Sequence, residues 1–558
     1  MYKDKLKPML FSTMKNYSMK QLSKDIISGI IVAIIALPLS IALALASGVG
    51  PQNGIYTAII AGFIISFLGG SRVQIAGPTA AFATIVAGIV ANSGMEGLML
   101  ATIVAGIILI LMGLFRLGTL IKYIPFTITT GFTAGIAVTI VIGQIKDFMG
   151  MSFPKGTVTI ETSDKIEALA KNISTITPNA IIIGLISLAI LIVWPKISEK
   201  IPGSLIAVIA GILIVKFSPL HANTIGDLYK INNSLPVIHF PHFSIKAINS
   251  VLSDGFTIAI LASIESLLSC VVADSMINSH HRSNMELIAQ GLGNIGSALF
   301  GGIPATGAIA RTAANIKNGG RTPIAGIVHS IVLVLVLVIL IPYASLIPMP
   351  TIAAILFVVA YNMCQWRTFL HLCKAAPKSD IIVLVTTFVL TVVFDLVVAI
   401  EIGMVLAVLL FLKRMSDESQ IRGWKYFDPD DDPDGLDLIP LPKQVRVFEI
   451  SGPMFFGDAE QLADIDYKDF TKIIIIRMRG VPAIDATAMR SLRLCYERCQ
   501  EKGIRLIFSH VNPQPMQTME KSGFIKKVGK ENFMPHINDA IELAKSLCKE
   551  DDNNKDNN

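Results

Sequence analysis

Gly77-Pro-Thr-Ala-Ala-Phe-Ala83 and Gly301-Gly-Ile-Pro-Ala-Thr-Gly-Ala-Ile-Ala-Arg311 interrupt the apolar runs of this chain at corresponding places in its two halves. Runs of small residues around a proline break a helix, and the helix that restarts beyond them begins with free backbone amides and the positive end of its dipole. Two such starts at membrane depth, aimed at one another, can hold an anion without any binding lysine. Broken spans in matching positions of two halves point to the binding site of a secondary transporter. The alternative reading is that the glycines only let helices pack closely, as small residues do throughout membrane bundles.

The surrounding chain agrees with a membrane setting. Of 558 residues, 52% are hydrophobic and 16% charged, and the mean hydropathy is +0.62, outside the range of soluble proteins of this size. Apolar runs of about 20 residues, enough to cross roughly 30 Å of hydrocarbon, recur from Ile26 to Phe411. Spans are expected to start near Ile26, Gly54, Pro78, Gly97, Phe126, Pro178, Gly203, Leu252, Asn284, Ala308, Pro323, Pro350, Asp380 and Ala399. The third and tenth are too short to cross, each preceded by an expected extended stretch (Arg72–Ala76 and Leu299–Ile303). Seven spans per half is an odd number, so the second half (residues 252–416) must sit upside down relative to the first (26–217). The expected fold is therefore a polytopic α-helical protein of fourteen segments in 7+7 inverted repeats.

The net charge of +6 follows membrane topology rather than nucleic acid. Arg72, Arg116, Lys122, Lys196, Lys200, Arg282, Arg321, Arg367, Lys374, Lys378, Lys413 and Arg414 fall in alternate connections, and the connections near Val49, Ser93 and Ala344 carry no basic residue. The positive-inside rule then places both termini in the cytoplasm and the protein in the plasma (inner) membrane. Residues 1–25 are polar and lysine-rich with no signal-peptide pattern, so the first span is expected to direct insertion. The six cysteines, including Cys495 and Cys499 one helical turn apart, read as reduced intracellular thiols. Residues 417–441 are expected to be a linker containing DPDDDPDGLDLIPLP, residues 442–548 a small α/β domain, and 549–558 a disordered tail. In that domain Val445–Ile450, Lys472–Met478 and Arg505–Ser509 read as strands, and Ala459–Ala463 and Ala486–Lys502 as helical.

The ALPLSIALALASGVGPQNGIY opening, SRVQIAGPTAAFA, IESLLSCVVADSM and GGIPATGAIARTAANIKNGGRTPIAG, in this order and spacing, resemble the SulP family, the sulfate-permease or solute-carrier 26 anion transporters with a terminal STAS domain. The eighth-to-tenth region is most similar to bacterial sodium-dependent bicarbonate carriers. The resemblance implies a homodimer in which a core domain slides against a gate domain. It implies an anion held by Thr79, Ala80, Ala310 and Arg311, mainly through backbone amides, with Pro38, Leu39 and Leu43 lining the pocket. Many relatives carry glutamine at the position of Leu39 and an aromatic at Thr79 or Leu43, so selectivity does not carry over. In the bicarbonate carriers an aspartate and a hydroxyl hold sodium with backbone oxygens; here these positions are Glu265 and Ser269, with Gly307, Ala308 and Ile309.

Read from the residues alone, Glu265 is a lone carboxylate in TIAILASIESLLSCVVA, and such a group pairs, binds a cation or takes up a proton. Ser269, four residues on, is expected on the same face. Arg311 either sets a positive potential at the anion site or pairs with Glu265. Asp274, Asp395 and Glu401 read as structural or interfacial, and His280 and His281 as solvated. No metal-ligand spacing, nucleotide loop or nucleophile-base constellation is present, so an enzyme, a resident cofactor and a nucleic-acid partner are not expected. In the STAS signature Ala486 stands where a phosphorylated serine is expected, leaving Thr487 as helix cap and weak phosphosite. The expectation is a sodium- or proton-coupled symporter of a small oxyanion such as bicarbonate or sulfate. An exchanger or uncoupled anion channel on the same scaffold is the alternative, and a membrane sensor acting through a cytoplasmic partner of the STAS domain a further one.

Overall fold

The computed structural model describes residues 6–119, 125–154, 157, 161–198, 202–229, 235–242, 244–394, 396–417, 420–423, 441–455 and 470–555. It separates into two units, residues 1–404 and 405–558.

The first unit is helical, because apolar side chains facing lipid leave the backbone no partner but itself. Its helices are α1 (Met19–Ala46), α2 (Pro51–Leu68), α3 (Ala83–Leu114), α4 (Phe126–Phe148), α5 (Pro178–Ile197), α6 (Gly203–Phe217), α7 (Ile245–Ile277), α8 (Ser283–Leu299), α9 (Ile309–Lys317), α10 (Ile324–Ala344), α11 (Met349–Cys364), α12 (Trp366–Ala375), α13 (Lys378–Val393) and α14 (Leu396–Asp417), with a few shorter helices outside them. Among the described residues seven helical segments are long and apolar enough to cross a membrane. The expected third and fourth spans are the two helical stretches of α3, which meet at Gly94, whose φ of 68° and ψ of −172° are not helical. The expected twelfth span is α11, which ends at Gln365 (φ 43°), and the connection after it, with Arg367 and Lys374, is the helix α12.

The short helix α9 has nine residues, about 14 Å at 1.5 Å per residue, and so cannot cross alone. Strands β1 (Ala76–Gly77) and β2 (Thr306–Gly307) precede the two short helical starts and pair antiparallel, Ala76 opposite Gly307 and Gly77 opposite Thr306. The second extended stretch therefore lies three residues beyond the expected Leu299–Ile303, because α8 continues to Leu299. Antiparallel pairing is what two oppositely oriented halves produce, and it satisfies the facing edge of each strand where water is absent.

The second unit carries a five-stranded sheet in the order β3 (Gln420–Gly423), β4 (Val445–Ser451), β5 (Ile473–Gly480), β6 (Arg505–Ser509), β7 (Phe533–Met534). The β3 strand is antiparallel to β4 and the others are parallel. Ile473 to Met478 are buried on both faces of the sheet, as parallel strands covered by helices require. The helices α15 (Ala486–Glu501), α16 (Pro513–Lys521), α17 (Phe524–Val528) and α18 (Ile537–Lys555) complete it. Three expectations change. Gln420–Gly423, read as linker, is the edge strand; the expected disordered tail is helical through Lys555; and Asp485, not Thr487, caps α15, its carboxylate accepting from the Ala488 amide at 2.8 Å. The expected helix at Ala459–Ala463, the linker segment 428–440 and Asp395 lie outside the described residues.

Candidate functional site

The β1–β2 pair sets the site. Beyond β1, Pro78 contributes no amide and Thr79, extended at φ −124° and ψ 158°, leads into the turn Ala80–Phe82 and then α3. Beyond β2, Ala308 (φ −89°, ψ 111°) caps α9, and its amide donates to the Ile75 carbonyl at 2.9 Å. Among the described residues the amides of Ala80 and Ala81 on one side, and of Ile309, Ala310 and Arg311 on the other, have no intramolecular acceptor. The N-terminal turn of α9 is open, with Ile309 42% exposed and Ala310 exposed as well, whereas Ala80 is buried. On α1, Pro38 and Leu43 are buried and Leu39 is half-buried.

Glu265 stands between the two breaks. Its Oε2 accepts from Thr79 Oγ1 and from Thr306 Oγ1, both at 2.8 Å, so one carboxylate oxygen links α7 to both broken segments. Ser269 does not join it. The Ser269 hydroxyl goes to Thr312 Oγ1 at 3.5 Å, while Ser266 Oγ accepts from the Gly307 amide at 3.1 Å. Helical spacing placed Ser269 beside Glu265, but the two serines serve α9 and β2, and the longer glutamate reaches across to threonines of other elements. Thr306 was missed by sequence reasoning; its only signal was a hydroxyl two residues before the helix cap.

Arg311 also departs from one of its two readings. Among the described residues it forms no ion pair with Glu265. Its Nη2 donates to the Pro78 carbonyl at 3.1 Å and to Ser40 Oγ at 3.4 Å, and the residue is 3% exposed. The guanidinium of the second break thus props the backbone of the first. Gly77 makes room for it: a Cβ there would stand 2.2 Å from Arg311 Nη1.

Polar side chains hold the breaks from behind. Asn53 Nδ2 donates to the Gly301 carbonyl at 2.6 Å, Thr57 Oγ1 accepts from the Ile303 amide at 2.7 Å, and Ser297 Oγ donates to the Ile303 carbonyl at 2.7 Å. Asn294 brackets Ala305, accepting from its amide at 2.8 Å and donating to its carbonyl at 2.9 Å. Glu286, fully buried, accepts from the Gly70 and Ser71 amides at 2.8 and 3.2 Å and from Gln74 and Gln290 Nε2, both at 2.9 Å. Gln74 then rests on Gly307, where a Cβ would meet its Nε2 at 2.0 Å. Sequence reasoning passed over Glu286, Gln290 and Asn294, although their four-residue spacing marks one polar stripe on α8.

The expectation of a solvated His281 is overturned. Its amide and Nδ1 both meet Asp274 Oδ2 at 2.7 Å, and Nε2 lies 3.0 Å from Ser283 Oγ, so the ring closes the α7–α8 corner. In the second unit Cys495 and Cys499 are buried free thiols, and the hydrogen bond between them, together with burial, raises Cys499 well above the usual thiol range.

Comparison with known proteins places this geometry. The profile of the Sulfate permease family matches residues 22–387, and that of the STAS domain residues 439–540. "Putative sulfate transporter YvdB" of Bacillus subtilis is 38% identical, over 94% of this chain and 98% of that protein. Bicarbonate transporter BicA of Synechocystis is 31% identical, over 94% of each. Among solved structures, the transmembrane domain of a cyanobacterial bicarbonate transporter BicA matches 70% of this chain and 98% of its own, with TM-score 0.61 and 29% identity. The murine Solute Carrier 26 family member A9 anion transporter, at 18% identity, shares the fold over 97% and 94% of the two chains, with TM-score 0.86. The chain belongs to the sulfate permease family, as a multi-pass membrane transporter with a C-terminal STAS domain.

Proposed function

We propose that this chain is a secondary active symporter that carries a small inorganic oxyanion of the bicarbonate or sulfate class together with a sodium ion or a proton. One observation carries the reading: Glu265 Oε2 receives hydroxyls from both broken segments, whose helix starts aim free amides at the anion position. The anion lies between Thr79/Ala80 and Ala310/Arg311, with Pro38, Leu39 and Leu43 along α1. Bicarbonate and sulfate enter as the named cargo of the relatives. Backbone amides and dipoles recognise charge and size, which suits both.

The cation is placed at Glu265, with the Thr79 and Thr306 hydroxyls in the role first given to Ser269, and with carbonyls of Gly307, Ala308 and Ile309 within the same turn. An empty, ionised Glu265 repels an anion; a cation there removes that repulsion, so anion and cation load together. The loaded core then exposes the site on the other face, and reciprocal linkage ties the two affinities. The protein is read as a homodimer of the plasma membrane with both termini cytoplasmic.

The test is radiolabelled uptake of bicarbonate, sulfate and a small dicarboxylate by purified protein in proteoliposomes, each under an imposed sodium or proton gradient. Wild type should accumulate one anion under one gradient, and Glu265→Gln should abolish accumulation while counterflow persists. Unchanged gradient-driven accumulation by Glu265→Gln would refute the coupling role. Counterflow without any gradient effect in wild type would favour an exchanger.

A further inference from the structure

Behind the β1–β2 pair lies a group of buried polar atoms that the transport reading leaves unused. His329, on α10, is fully buried, and among the described residues neither of its ring nitrogens has a hydrogen-bond partner. Among the same residues Arg311 Nη1 and Ser66 Oγ, both buried, are also without partners. These atoms lie around one stretch of backbone, β1 with the neighbouring turns of α2 and α10. A Cβ on Gly62 of α2 would stand 3.9 Å from His329 Cδ2, 3.0 Å from Ser330 Oγ and 3.3 Å from the Ala76 carbonyl. The next residue, Gly77, rests on Arg311 Nη1, and Ser66 lies one turn beyond Gly62, against Gly326 of α10.

A buried donor or acceptor left unpaired costs about 1–3 kcal/mol, more when charged. A guanidinium N–H and an imidazole nitrogen are complementary, and a buried water needs two to four polar partners of this kind. We propose that an internal water binds here, accepting from Arg311 Nη1 and donating to a ring nitrogen of His329, with Ser66 as a further partner. Through that water His329 is a positioning residue: it fixes the guanidinium whose other nitrogen props the Pro78 carbonyl at the anion site. This inference rests on the proposed anion site.

The experiment measures the anion KM, maximal rate and cation half-saturation of full-length protein in proteoliposomes. His329→Phe, close in shape but without an acceptor, should raise the anion KM about tenfold, with maximal rate and cation half-saturation unchanged. His329→Gln, which restores a polar partner, should lie within about threefold of wild type. In an Arg311→Lys background His329→Phe should add nothing, since the two act as one unit. His329→Leu serves if the phenylalanine variant fails to elute as folded protein. An unchanged KM in the apolar variants, a full additional loss in the Arg311→Lys background, or misfolding of both apolar variants in both backgrounds overturns the proposal. Wild type that accumulates no anion refutes the transport reading instead, and is seen before any variant is made.

Discussion

Gly77→Ala isolates the contribution of Arg311 to the anion site. The φ of Gly77 is not positive, so alanine fits the strand, and the nearest backbone atom to the new Cβ is Ala58 Cα at 3.6 Å, an ordinary contact. The only severe neighbour is Arg311 Nη1 at 2.2 Å, and close packing forces the guanidinium back by roughly 1 Å. Its bonds to Pro78 and Ser40 already measure 3.1 and 3.4 Å, so that retreat takes both beyond hydrogen-bonding range. A hydrogen bond to a charged group contributes about 1.5–3 kcal/mol, and about 1.4 kcal/mol is a factor of ten. The anion KM should therefore rise at least about tenfold, with little change in cation half-saturation, because the Glu265 bonds do not involve Arg311. The measurement is initial-rate uptake against anion concentration at saturating cation. A folded Gly77→Ala variant whose anion KM stays within about twofold of wild type would show that the anion does not sense the guanidinium.

Glu286→Gln places an amide group where two N–H donors now converge, orphaning them at about 1–3 kcal/mol each; the thermal midpoint in detergent should drop by several degrees, and an unchanged midpoint would remove Glu286 as the clamp on Gly70–Gln74. In the STAS domain, Asp485→Ala should destabilise by about 1 kcal/mol through loss of the helix cap while Thr487→Ala is neutral, as read by chemical denaturation of the full-length protein. The Tyr17 hydroxyl, half-buried and donating to Asp25 at 2.9 Å, is pushed up to about 12 by burial and by that bond. Its raised value stabilises the fold fully below the unfolded value of 10.0 and loses that contribution as pH climbs to about 12. Tyr17→Phe should flatten this alkaline part of a thermal-midpoint profile, and an identical profile would refute the assignment.

The breaks were legible because glycine and proline cluster in both stretches, where each weakens a helix, and the parity of spans forces opposite orientation. The register of β1 with β2 was not, since nothing local in Ala76–Gly77 or Thr306–Gly307 names its partner. Helical periodicity likewise names neighbours on one helix only: it offered Ser269 to Glu265, whereas the bonds come from Thr79 and Thr306 on other elements. Arg311 was recognised as costly at membrane depth, but its acceptor is the carbonyl of Pro78, and backbone acceptors carry no sequence signature. The polar stripe Glu286, Gln290, Asn294 was readable by spacing alone, and Gln420–Gly423 escaped because an edge strand of four residues beside an acidic linker gives too short a period-2 pattern.

Thr79 belongs to both proposed ligand positions through different atoms, and that separation gives a test of the coupling ion. Its backbone leads into a helix start whose amides face the anion, and its side chain makes no capping bond there, so Thr79→Val leaves the helix start as it is. What valine removes is the hydroxyl donated to Glu265 Oε2. A sodium ion at Glu265 would lose an oxygen ligand, and its half-saturating concentration should rise about tenfold for a change of about 1.4 kcal/mol. A proton would instead bind a carboxylate deprived of a donor that favoured its charged form, and its half-saturating concentration should fall. In either case the anion KM at saturating cation should stay near wild type, since the amides of Ala80 and Ala81 are untouched. The direction of the cation shift thus names the ion. A Thr79→Val variant that alters only the anion KM would refute the division of labour between this residue's backbone and its hydroxyl.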